Sequence, residues 1–124
     1  MVNLVLLHLG AGLTVIWGVA HLVPTRSVVA GFGDISIDNK HIIEMEWITE
    51  GVALVFIGVL VATVTLIDPL STVSRAVYLV SAIGIIVLSL VSLFTGFKVR
   101  FVPFRLCPFI FSLSAVLILF GGVI

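Results

Sequence analysis

Four long apolar runs separated by short polar stretches organise this chain. The first, Leu4 to Val23, is broken by polar side chains only at His8, Thr14 and His21, and it stops at Pro24. About 20 residues rising ~1.5 Å each match a hydrocarbon core of roughly 30 Å. No basic stretch precedes this run and no small-residue cleavage site follows it, so it reads as a retained span and not as a signal peptide. The second run, Gly51 to Ile67, ends at Asp68-Pro69 and is preceded by the polar helical stretch Asn39 to Glu50, which carries acidic residues toward the membrane. The pattern predicts helices over about 3–23, 40–67, 73–97 and 104–124, the last with Pro103 and Pro108 near its start, where a missing N–H costs least.

The fold class that follows is all-α: an antiparallel bundle of four transmembrane helices forming one domain over residues 1–124. Composition agrees, because 61% of the residues are hydrophobic and only 10% are charged, whereas soluble domains average about 25% charged residues. The lipid bilayer is therefore the first partner. Six Lys or Arg balance six Asp or Glu, and this neutral total gives no footing for nucleic-acid binding or a polybasic lipid-binding tail.

Placement of charge says more than its total. Arg26, Lys40, Lys98, Arg100 and Arg105 lie on the side of the first and third connections, and Arg75 alone lies on the other. The positive-inside rule then puts those connections in the cytoplasm and both termini outside, in a multi-pass plasma-membrane protein. Within the first connection, Ser27 to Gly33 is too apolar for a free linker and too short to span, which predicts a segment lying along the interface or dipping partly into it. Its Gly31-x-Gly33 follows no strand and lacks a third glycine, so it reads as a turn and not as a nucleotide-binding loop.

Polar residues inside the spans fall on faces. In the first helix, Asn3, Leu7, Gly10, Thr14, Trp17 and His21 share one seam, with His8 on the opposite side. In the third helix, Ser74, Tyr78, Ser81, Ile85, Leu88, Ser92 and Thr95 do the same. In the fourth, the series is Arg105, Pro108, Ser112, Ala115, Leu119 and Gly122. Small residues permit close approach and polar ones avoid hydrocarbon, so these seams are expected to face other helices. In the second helix, Glu46, Glu50 and Ala53 form one stripe, beside another of Glu44, Trp47, Gly51, Gly58 and Thr65. Gly51 and Gly58 are read as close-packing positions.

Antiparallel threading brings His21, Glu46, Glu50, Ser92, Thr95, Arg105 and Ser112 to the same end of the bundle, where they are expected to form one polar pocket. Glu50 is the most informative member, because a carboxylate within the membrane costs on the order of 3 kcal/mol unless it has a partner. The candidate partners are His21 and Arg105. Two readings of the cluster stand: an ionic lock joining the first, second and fourth helices, or a pocket in which His21 with Glu46 or Glu50 performs acid–base work. Trp17 and Trp47 fit either an interfacial belt or the walls of that pocket. Cys107, the single cysteine, reads as a packing residue at a helix start. His21 with two carboxylates could supply three metal ligands, but no His-x-x-Glu or Glu-x-x-His spacing supports this apart from His41-x-x-Glu44 at a helix start, so no metal ligands are assigned, and the residues do not name a cofactor.

Trp17-Gly-Val-Ala-His21-Leu-Val-Pro, an apolar loop, and Met45-Glu-Trp-Ile-Thr-Glu50-Gly before a second span together resemble the small four-helix proteins called DoxX-like. The likeness covers the first two helices, about half the chain, and rests on Gly18-Val-Ala-His21 and Gly51; the Glu46/Glu50 pair is not part of it. It implies the four-helix fold, and some members of that group are accessory membrane subunits of quinone-linked oxidoreductases. Three functions are consistent with these observations. One is binding or processing of an apolar ligand such as a quinone or isoprenoid, and another is an accessory role among other membrane chains or in a homo-oligomer. The third, proton-coupled transport with Glu50 as carrier, is weakened because small multidrug-type transporters hold their carboxylate in the first helix.

Overall fold

The computed structural model describes residues 1–124 as five helices without strands: α1 (Leu4–Leu22), α2 (Thr25–Ala30), α3 (Ile37–Ile67), α4 (Thr72–Gly96) and α5 (Val102–Gly122). All but α2 are long and apolar enough to cross a membrane. The chain is thus a small multi-pass membrane protein built as an antiparallel four-helix bundle. Large apolar side chains such as Phe56, Leu66, Val80, Phe94 and Phe109 point outward, where lipid is their solvent.

Three of the four long helices start where a side chain can take up free amides, while α5 follows Phe101 without such a cap and has a proline in its first turn. Asn3 accepts from Val5 and Leu6 at the head of α1, and Ser36 accepts from Asn39 at the head of α3. Ser71 accepts from Ser74 at the head of α4. Such caps replace hydrogen bonds that the first turn cannot make internally. The Asn3 amide also donates to the Gly121 carbonyl at 2.7 Å, fastening the start of α1 to the end of α5.

Helix α1 lies between α3 and α5, α5 packs on α4, and α3 touches α4 only lightly, so the bundle has one open seam. Small residues set the two tight contacts of α1. A Cβ on Gly18 would sit 2.9 Å from the Gly51 carbonyl oxygen, and one on Gly58 would sit 2.7 Å from that of Ala11. A Cβ on Gly10 would meet Ile118 of α5 at 2.8 Å. Without a hydrophobic driving force between helices in lipid, this backbone proximity supplies the dispersion contacts that hold them together.

Most buried hydroxyls are satisfied locally or across the bundle, Ser114 being left without a partner. Thr14 donates to the Gly10 carbonyl, and Ser89 of α4 donates to the Pro108 carbonyl of α5 at 2.8 Å while pairing with Ser112 at 2.7 Å. Thr65 donates to Val61 and meets the Tyr78 hydroxyl at 3.0 Å. Tyr78→Phe removes only the last of these, leaving Thr65 bonded. Its expected cost is about 0.6 kcal/mol, the scale of interhelical bonds in membranes, to be measured as a small loss of unfolding free energy in bilayer discs.

Pro108 departs from the expected helix start. It is the seventh residue of α5, inside the helix, where its missing N–H leaves the Phe104 carbonyl without the usual donor. Gly96 accommodates that carbonyl: a Cβ there would lie 2.5 Å from the Phe104 oxygen. In the first connection, the apolar segment winds into α2, packs on α3 and buries Val29, while Gly33 turns the chain at φ 70°.

Candidate functional site

The close approach of Gly18 to Gly51 fixes what lies one turn away. His21 follows Gly18 on α1, and Trp47 and Glu50 precede Gly51 on α3, so the three side chains meet where the two backbones nearly touch. The last carbonyls of α1 have no amide of their own helix to accept from. Trp47 fills one vacancy by donating its indole N–H to the His21 carbonyl at 2.7 Å, and Thr25 fills the next by donating to Leu22 at 2.6 Å.

Trp47 also stacks on the His21 ring, with centroids 3.8 Å apart and planes 16° from parallel. Held this way, the His21 side chain is only 8% exposed, and its Nε2 stands 3.6 Å from Glu50 Oε2. That buried nitrogen has no hydrogen-bond partner, an uncommon state for a buried polar atom. Phe104 meets the far side of Trp47 edge-on, 5.6 Å between centroids.

Two spaces flank this group. One is a mainly apolar cavity of about 320 Å³ under α2 and the start of α5, walled by Trp17, His21, Trp47, Phe104 and Cys107 among others. The other is a groove of about 530 Å³ in the open seam between α3 and α4, lined by Glu46, Thr49, Glu50 and Ala53 on one side and Leu88, Val91 and Ser92 on the other. Trp47 borders both. His21 belongs to the cavity and Glu50 to the groove, so the pair spans the partition.

The residues expected in one pocket are therefore distributed. His21, Trp17 and Trp47 wall the cavity, while Glu46, Glu50 and Ser92 line the groove. Thr95, Arg105 and Ser112 line neither. Thr95 is exposed and donates to the Val91 carbonyl of its own helix. Arg105 turns outward and donates to the Val99 carbonyl at 3.1 Å, which leaves Glu50 with His21 alone and no three-helix lock. Ser112 is taken up by Ser89. Cys107 and Phe104 complete the cavity wall, and their only sequence signal is a position one helical turn apart at the start of α5, level with the end of α1. No cluster of His, Cys, Asp or Glu has the spacing to hold a metal ion.

Comparison with family models, curated proteins and solved structures finds no match to this chain.

Proposed function

We propose that the chain binds an apolar ring ligand of the quinone or isoprenoid class in the cavity beside His21. The observation that carries this reading is the His21 ring: a polar group only 8% exposed, in the wall of an aromatic cavity, whose Nε2 faces Glu50 without a hydrogen-bond partner, so that its other ring nitrogen, Nδ1, is the one left for a ligand. Membrane-embedded ligand sites are typically apolar with one or two polar groups that orient the occupant. Here Trp17, Trp47 and Phe104 supply flat apolar surface, and His21 supplies a donor or acceptor for a ring oxygen. The volume of about 320 Å³ suits a substituted ring with the first part of its tail.

The test uses the chain's own chromophores, since its two tryptophans both wall the cavity. Titrating a short-chain quinone into the protein in bilayer discs should quench their emission along a saturating curve. Quenching that rises linearly with quinone, as simple partition into lipid produces, would overturn the reading.

A second reading, an accessory subunit of a larger membrane complex, draws on the light contact between α3 and α4. A helix of another membrane chain, or of a second copy, would fit that seam. Both readings accord with the DoxX-like resemblance, whose Gly18-Val-Ala-His21 stretch carries the residue that stacks on Trp47. Isolation from the native membrane as a stable larger assembly would favour the subunit role.

For orientation, the basic residues around the first and third connections between spans support a cytoplasmic location of the cavity end. In a Cys107→Ser background, Ser71→Cys should react with an impermeant thiol reagent only from the outside of sealed cells. Reaction only from the cytoplasmic side would reverse the topology.

A further inference from the structure

We propose that Glu50 and His21 form a proton relay through the partition, moving a proton between a ligand hydroxyl in the cavity and water in the α3–α4 groove. This rests on the ligand-binding reading for its occupant, but its geometry is independent of the ligand's identity. His21 lies in the cavity wall and Glu50 in the groove wall, and their facing atoms are 3.6 Å apart. That gap is slightly beyond hydrogen-bond length. The Glu50 side chain is 45% exposed and has no other partner, so a small movement closes it.

No other route through the partition carries a titratable group. On α3, Glu46 lines the groove but not the cavity, and on α4 the groove is lined by Leu88, Val91 and Ser92. On α5, Cys107 faces the cavity, while Arg105 is held outside by the Val99 carbonyl. From α2 only Val28 reaches the cavity, with Arg26 exposed. The acid–base step therefore falls to the one pair that bridges both spaces.

The step balances as proton transfer alone. The O–H bond of a phenolic ligand, such as the quinol form of a quinone, breaks as an N–H bond forms on Nδ1 of His21. The Nε2–H bond then breaks as an O–H bond forms on Glu50, which passes its proton to groove water, leaving histidine in its other neutral tautomer and the ligand as a phenolate. Running backwards, the same relay protonates an oxyanion from the groove. No electrons move, so no oxidant or reductant is required.

Trp47 gives a readout that needs no ligand, because protonating an imidazole stacked on an indole quenches its emission. In a Trp17→Phe background, Trp47 emission should fall through one transition as pH is lowered. Glu50→Gln should move that transition by about one pH unit, the scale of a close charged neighbour. Glu44→Gln, which removes an exposed carboxylate outside both spaces, controls for lost charge and should not move it. The ligand arm uses an alkylated 4-nitrophenol, whose phenolate absorbs visibly, with binding measured separately by displacement of the quenching quinone. The relay predicts a phenolate band per bound probe in the wild type that is at least halved in Glu50→Gln, and Glu50→Asp should retain part of it. Bound probe with no phenolate band, or a band and a Trp47 transition both indifferent to Glu50→Gln, would overturn the relay while leaving the binding reading intact. Absence of probe binding would remove the binding reading instead. The Trp47 transition would then decide the His21–Glu50 link by itself: movement with Glu50→Gln supports the link, and indifference overturns it.

Discussion

His21→Ala is expected to weaken quinone binding by roughly 30-fold, about 2 kcal/mol, the loss that follows when a polar ligand atom is left unpaired in an apolar site. The fold should tolerate the change. Trp47 bonds the backbone carbonyl of residue 21 and not its ring, so the indole keeps its anchor, and alanine is a good helix former. Tryptophan-quenching titrations run beside thermal unfolding would separate the two effects. Unchanged affinity would show that His21 does not touch the ligand, and lost folding would return the His21–Glu50 pair to a structural role.

Gly58→Leu is expected to destabilise the bundle by about 3 kcal/mol or more, at the upper end of the cost of overpacking. Any Cβ at this position meets the Ala11 carbonyl at 2.7 Å and the Val15 side chain at 2.6 Å, so α1 and α3 must separate. Gly84→Ala provides the contrast, because a Cβ there meets nothing within 4 Å. It should be neutral, or slightly stabilising through helix propensity. Comparing the unfolding free energies of the two variants checks the claim, and equal effects would contradict the assigned α1–α3 contact. Since that contact also presents His21 to Trp47 and Glu50, Gly58→Leu should weaken ligand binding as well, at a distance from the cavity.

Much of the fold was legible because lipid leaves few alternatives to helices. The glycine stripe on α3 and the seam through Leu7, Gly10, Thr14 and Trp17 on α1 could be read directly. The seam on α4 shows the limit of such reading. Its alternating four- and three-residue steps assume 3.5 residues per turn, whereas a straight helix has about 3.6, so the face drifts by ~20° per heptad. Over the span from Ser74 to Thr95 the buried face slides onto Ser89 and Gly96, leaving Thr95 exposed.

The site was less legible, because its partners are set by backbone groups that residue spacing does not display. Spacing offers Arg105 as a partner for Glu50, but its side chain donates to the Val99 carbonyl. Spacing leaves Trp47 as a wall or a belt residue, yet its indole bonds the unfilled carbonyl of His21 at the end of α1. Nor could spacing reveal that one polar cluster would be split by an indole into a cavity and a groove. That division depends on α4 standing away from α3 while α1 presses against it.

Photo-crosslinking maps the occupied site most directly. A quinone carrying a photoreactive group on its ring, irradiated with the protein in bilayer discs and mapped by peptide mass spectrometry, should label Trp17, Trp47, Phe104 or Cys107, with labelling suppressed by excess unmodified quinone. Labelling confined to outward-facing residues such as Phe56, Leu66 or Val80, and unaffected by the competitor, would contradict a ligand site beside His21.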